Sequence, residues 1–131
     1  MKPFSNDSSV EIMSIYTACF INSAGQRILD HTDFEGTTNR SHISLWDYIE
    51  KPIVLNVNKS LDYLDHKENV LMIKNYTVPV YEVTIHDIGK YISTFDNDDL
   101  YFFDSTLSWT IVLTHEYIEK NRRYCILKEN C

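Results

Sequence analysis

A chain of 131 residues is long enough to bury one hydrophobic core and too short for two of ordinary size, so a single domain over residues 1–131 is expected. Nineteen acidic against twelve basic side chains give a net charge of −7, which repels phosphate backbones, disfavours nucleic acid as a partner and attracts a cationic one. Three Gly, three Pro and 44% hydrophobic residues exclude disordered and collagen-like chains, and no apolar run approaches the roughly 18 residues of a membrane-crossing helix.

The N-terminal text MKPFSNDSSVEIMSIY lacks the basic-then-apolar layout of a secretion signal. Cys19, Cys125 and Cys131 are odd in number and have no CxxC spacing, so neither a disulfide framework nor a zinc knuckle is expected, and a reducing cytoplasm fits best. Ser8-Ser-Val-Glu11 is a capping box and Gly25 stands where a helix can end, which predicts a first helix over about residues 9–24. Ile12, Met13, Tyr16, Cys19 and Phe20 recur along it at the spacing of one buried face. A polar, aperiodic stretch with Gly36 then reads as a loop, and Ser44-Leu-Trp-Asp47 opens a short helix that Pro52 stops.

Ile53 to Val57 is a short β-branched strand candidate, followed by one or two helical turns through Leu61 and Leu64. Val70 to Ile73 and Val78 to Val83 predict two more strands, the second at an edge or a strand start because Pro79 has no ladder donor. Thr84-Ile-His-Asp87 caps a helix carrying Ile85, Ile88, Ile92 and Phe95 on one side. Leu100 to Asp104, Leu107 to His115 and Arg123 to Lys128 predict a three-strand antiparallel meander. In its middle strand Trp109, Ile111, Leu113 and His115 share the expected core face. The whole reads as an α+β domain, a largely antiparallel sheet with helices packed on one face.

From Tyr91 to Glu119 the chain carries neither Lys nor Arg, but six carboxylates among seven aromatic residues. Asp96, Asp98, Asp99, Asp104 and Glu116 are therefore candidates for steering a basic partner, with Tyr101, Tyr117 or Trp109 anchoring it. The same residues also suit a purely structural role, the Asp side chains capping a helix end and filling a turn while the rings form core. Arg122 and Arg123, after Lys120, read as a solvated turn.

His31-Thr-Asp33-Phe-Glu35-Gly36 with His42 imitates the spacing of a calcium loop, but both ends of that frame are His instead of acidic. Imidazole with carboxylate suits zinc better, yet such loops are more often simply solvated, so neither metal nor cofactor is expected. Adjacent strand residues face opposite sides, so His115 and Glu116 do not pair directly, and His86 with Asp87 meets a similar objection. An enzymatic alternative, a small hydrolase or nuclease, needs His115 or His86 to find a carboxylate on another element. No GxSxG, P-loop, GxGxxG or HExxH is present.

The text Asp99-Leu-Tyr-Phe-Phe-Asp-Ser-Thr-Leu-Ser-Trp-Thr-Ile-Val-Leu-Thr-His-Glu116 resembles the C-terminal meander of small bacterial proteins of immunity-protein type. In size, acidity and lack of catalytic motifs the chain is similar to the immunity proteins of contact-dependent inhibition and other polymorphic-toxin systems. That resemblance implies a non-enzymatic cytoplasmic protein that binds a cognate toxin domain, often a basic nuclease, over its active site or beside it. It implies no nucleic acid or membrane as partner. It transfers no residue motif, so the candidate contacts Asp96, Asp98, Asp99, Tyr101, Asp104, Glu116 and Tyr117 rest on charge.

Overall fold

Side-chain oxygens of Ser5, Asn22, Asn56 and Thr84 each accept a bond from the backbone N–H three residues on, at 2.7 to 3.1 Å. Each satisfies a donor that a first helical turn leaves free, and each opens a helix. These are α1 (Asn6–Phe20), α2 (Ser23–Leu29), α3 (Val57–Asp65) and α4 (Ile85–Thr94) in the computed structural model, which describes residues 1–29, 44–119 and 122–131. At α4 the box closes in both directions, because Asp87 returns a bond to the Thr84 backbone N–H at 3.1 Å.

The expected single helix over residues 9–24 is two. Its cap is Ser5 instead of Ser8, and Ile21 takes an extended conformation (φ −98°, ψ 126°) that ends α1. Gly25 lies buried inside α2 instead of terminating a helix. A Cβ there would stand 2.5 Å from Ile21 Cγ2 and 2.7 Å from Tyr48 Cβ, so glycine serves close packing against the 3-10 turn Leu45–Tyr48.

The strands are β1 (Lys2–Pro3), β2 (Ile53–Leu55), β3 (Val70–Lys74), β4 (Thr77–Val83), β5 (Leu100–Phe103), β6 (Trp109–Glu119) and β7 (Arg122–Glu129). They form one antiparallel sheet in the order β1-β4-β3-β5-β6-β7-β2, in which the predicted meander β5-β6-β7 is contiguous. The α+β class stands. Pro79, lacking a donor, falls at the irregularity between the Met72↔Tyr81 and Lys74↔Thr77 pairs, and only the two-residue β1 lies outside β4.

The helices divide between both faces of the sheet, not one. Tyr101, Phe103, Val112 and Ile126 pack with Met13, Tyr16 and Phe20 of α1 and with Leu45 and Trp46, whereas Phe102, Ile111, Leu113 and Cys125 pack with Leu64 of α3 and Ile88 of α4. The reason is visible in Leu100-Tyr-Phe-Phe103, a continuous apolar run with no polar face, as a strand covered on both sides requires. Trp109, Ile111 and Leu113 keep the common face assigned to them, but His115 leaves it. A bulge between Leu113 and Tyr117 sets three residues of β6 against Tyr124 alone and turns His115 toward Trp46, 6.4 Å away between ring centroids.

Candidate functional site

Asp99 is 3% exposed and so does not reach a partner. Its Oδ1 accepts from both the backbone N–H and Nδ1 of His115, at 2.7 Å each, while its own backbone N–H donates to Asn75 Oδ1 at 2.8 Å. A carboxylate only accepts, so the shared bond places a proton on His115 Nδ1. Tyr101, fully buried, is likewise corrected as an anchor: its hydroxyl accepts from the Trp46 backbone N–H at 3.1 Å, and burial pushes its pKa well up. Beside this group the Trp46 indole Nε1 is buried with no hydrogen-bond partner among the described residues.

Arg123 explains much of the acidic segment. It is buried instead of lying in a solvated turn, and its guanidinium donates to Thr114 O (2.6 Å), Phe95 O (3.0 Å), Ile92 O (3.5 Å) and Asp98 O. It thus caps the C-terminal end of α4 with a cation where the helix dipole favours one. Burial lowers its pKa, and the nearby charges of Asp99 and Asp96 oppose that shift. Asp98 also accepts from Asn75 Nδ2 at 2.7 Å, which fastens the α4–β5 connection to the β3–β4 turn.

Asp104 stands at the other end of β5 from Asp99, so the segment does not form one patch. Its carboxylate accepts from Trp109 Nε1 (2.8 Å) and from the backbone N–H and hydroxyl of Thr106, an Asx turn that leads into β6. Trp109 is core, as its face predicted. Of the predicted contacts, Asp96, Glu116 and Tyr117 stay exposed, and Tyr117 lies on the part of β6 that projects past its last pair with β5, Leu100↔Leu113.

A surface missed in the sequence joins Tyr117. Ile118 is 53% exposed beside it, and Ile53 and Val54 of β2, at the far edge of the sheet, are 55% and 53% exposed. Beside Ile118, but not lined by Tyr117, Ile53 or Val54, lies a cleft of about 360 Å³ bounded by Leu55, Asn56, Val57, Asn58, Arg122 and Arg123. The only sequence signal was apolar side chains at both faces of a short strand; that β2 lies at an edge depends on strand order, which no local pattern encodes.

The chain matches no protein-family model, no curated protein and no solved structure.

Among the described residues no group of three His, Cys, Asp or Glu side chains is placed to hold a metal, and no helix is long and apolar enough to cross a membrane. The calcium-like stretch with His31, Asp33, Glu35 and His42 lies outside the described residues. His86 is exposed on α4. The absence of disulfides predicted from cysteine spacing does not hold: Cys19 and Cys131 are bonded, their Cα atoms 5.0 Å apart across 112 residues of sequence. The end of β7 delivers Cys131 to α1, a tertiary contact invisible to spacing rules. Cys125 is buried and free, and burial pushes its thiol pKa up.

Proposed function

We propose that this protein is a non-enzymatic binding protein, an immunity protein that neutralises a cognate basic toxin domain in the cytoplasm, and that it does so with the β6–β7 hairpin and the neighbouring β2 edge. One observation supports the reading above the others: Tyr117 and Ile118 near the end of β6 and Ile53 and Val54 on the edge strand β2 are large apolar side chains left exposed. Apolar and aromatic groups concentrated in one exposed region are the ordinary mark of a protein-binding surface. Glu116 and Asp96, exposed near the hairpin, and the net charge of −7 supply the negative rim that steers a cationic partner.

The test is binding of this chain to the product of the gene immediately upstream, by calorimetry, for wild type, Ile118→Asp, Tyr117→Ala and the double variant. Each substitution is expected to weaken binding by about tenfold or more at unchanged melting temperature. Affinity unmoved in the double variant overturns the reading.

A second reading, an enzyme using His115 as general base, is favoured by the Asp99–His115 bond, since a carboxylate on Nδ1 orients Nε2 for proton transfer. As a small hydrolase or nuclease, the protein is required to cleave an ester or phosphodiester substrate, and His115→Gln to abolish that cleavage at unchanged melting temperature.

A further inference from the structure

The bond between Cys19 and Cys131 lies where it can open without disturbing the core. Cys131, two residues beyond β7, is exposed and belongs to neither apolar cluster, while Cys19, half-buried near the end of α1, only borders one of them. The chain on both sides is held without the bond: Phe20 and Ile21 are buried next to Cys19, and beside Cys131 the Asn130 backbone N–H donates to Ser108 O at 2.8 Å. A released Cys19 thiol also has an acceptor in place, because Leu107 O stands 3.7 Å from its sulfur.

Thiol–disulfide exchange begins when a thiolate reaches one sulfur, and the sulfur attacked is set by access and by how well the other leaves. Solvent reaches Cys131, and Cys19 is the half that leaves toward a waiting carbonyl. We propose that this bond is an exchange site, open in the folded protein to small thiols of the glutathione class, with Cys131 the sulfur that carries the modification and Cys19 the resolving thiol.

The small thiolate attacks Cys131 Sγ. A mixed disulfide forms there as the Cys19–Cys131 bond breaks, and Cys19 leaves as a thiolate that takes a proton from water. A second small thiolate then attacks the non-protein sulfur of the mixed disulfide and releases Cys131, so two small thiols are oxidised to their disulfide and the cysteine pair is reduced. Attack of Cys19 on the mixed disulfide runs the first step backwards and closes the bond. The site lies at the opposite end of β7 from the hairpin and does not rest on the binding function proposed for it.

The test incubates folded wild type with reduced glutathione and maps the adduct by peptide mass spectrometry after acid quenching. At least about tenfold more adduct is expected on Cys131 than on Cys19. Cys125, buried and free, reports unfolding through its alkylation in a parallel sample without glutathione. In rising sub-denaturing urea that alkylation is expected to accelerate by about tenfold or more, and glutathione exchange by less than about twofold. With oxidised glutathione, Cys131 in Cys19→Ser is expected to form its mixed disulfide at least about tenfold faster than Cys19 in Cys131→Ser. The proposal is overturned if exchange accelerates in step with Cys125, if the wild-type adduct falls on Cys19, or if the two single variants react at equal rates.

Discussion

A single oxygen of Asp99 holds both the backbone N–H and the imidazole Nδ1 of His115, each at 2.7 Å, and so fixes the shape of the β6 bulge. The bulge breaks the pairing between Leu113↔Cys125 and Tyr117↔Arg123, and Asp99 takes up the backbone donor that the ladder would otherwise leave unpaired. Asp99→Ala is expected to cost about 2 to 3 kcal/mol by leaving these donors without an acceptor, and Asp99→Asn, which keeps a carbonyl oxygen, distinctly less. Urea unfolding of the three proteins measures the difference. Equal stability of wild type and Asp99→Ala would remove Asp99 as the organiser of the bulge.

Arg123 joins β7 to the end of α4 through backbone carbonyls alone, and among the described residues no carboxylate lies within ion-pair distance of it. Its planar fork reaches Thr114, Phe95 and Asp98 together, a geometry that an ammonium does not reproduce. Arg123→Met is expected to destabilise the fold by about 2 to 4 kcal/mol, because the carbonyls lose charged donors, and Arg123→Lys to recover less than half of that. Denaturant midpoints decide the comparison, and full rescue by lysine would contradict it.

The cap of α4 carries an acid-side pH dependence. Asp87 has its pKa lowered from 3.8, first by the bond from the Thr84 backbone N–H. A carboxyl whose pKa is lower in the folded state adds stability above the unfolded value, and that contribution is lost as pH falls below about 3.8 through the lower folded value. Asp87→Asn is expected to flatten the stability profile in this range, and Thr84→Ala, which keeps the backbone N–H and loses only the side-chain bond, to flatten it less, seen in thermal melts between pH 5 and pH 2. Profiles parallel to wild type would show that the box carries no such linkage.

Tyr63 supplies the alkaline counterpart. It stacks edge-on to Trp109, its hydroxyl donates to Glu129 Oε2 at 3.1 Å, and its pKa is pushed up to about 12, first by burial and then by Glu129. A phenol raised in this way adds stability below the unfolded value of 10, and the contribution disappears as pH climbs from 10 toward about 12. Absorbance at the phenolate band is expected to show a tyrosine titrating at lower pH in Glu129→Gln than in the parent. An unchanged titration would separate Glu129 from Tyr63.

The local devices were legible because they are local. Thr84-Ile-His-Asp87 announced α4, and the meander followed from apolar runs and polar turns. What failed was everything set by distant contacts. The lysine-free, arginine-free acidic segment reads as one charged surface, yet in the fold Arg123 approaches from 25 residues away and draws Asp98 inward by its backbone. His115 was assigned by strict alternation, which a bulge suspends. The second covered face was encoded in the unbroken Leu100-Tyr-Phe-Phe103 run, where the expectation of helices on one face hid it.

The bond between Cys19 and Cys131 ties the C-terminal turn of α1 to the second residue beyond the end of β7. Closing a loop of 112 residues restricts the unfolded chain far more than the folded one, so reduction is expected to cost up to about 4 to 5 kcal/mol, with the native sheet and its core retained. In denaturant without reductant one thiol, Cys125, should react with a thiol reagent, and three after reduction. Cys131→Ser should melt with the reduced wild type and be indifferent to reductant, which distinguishes loss of the cross-link from reductive damage elsewhere. Three reactive thiols in protein purified without reductant would overturn the cross-link.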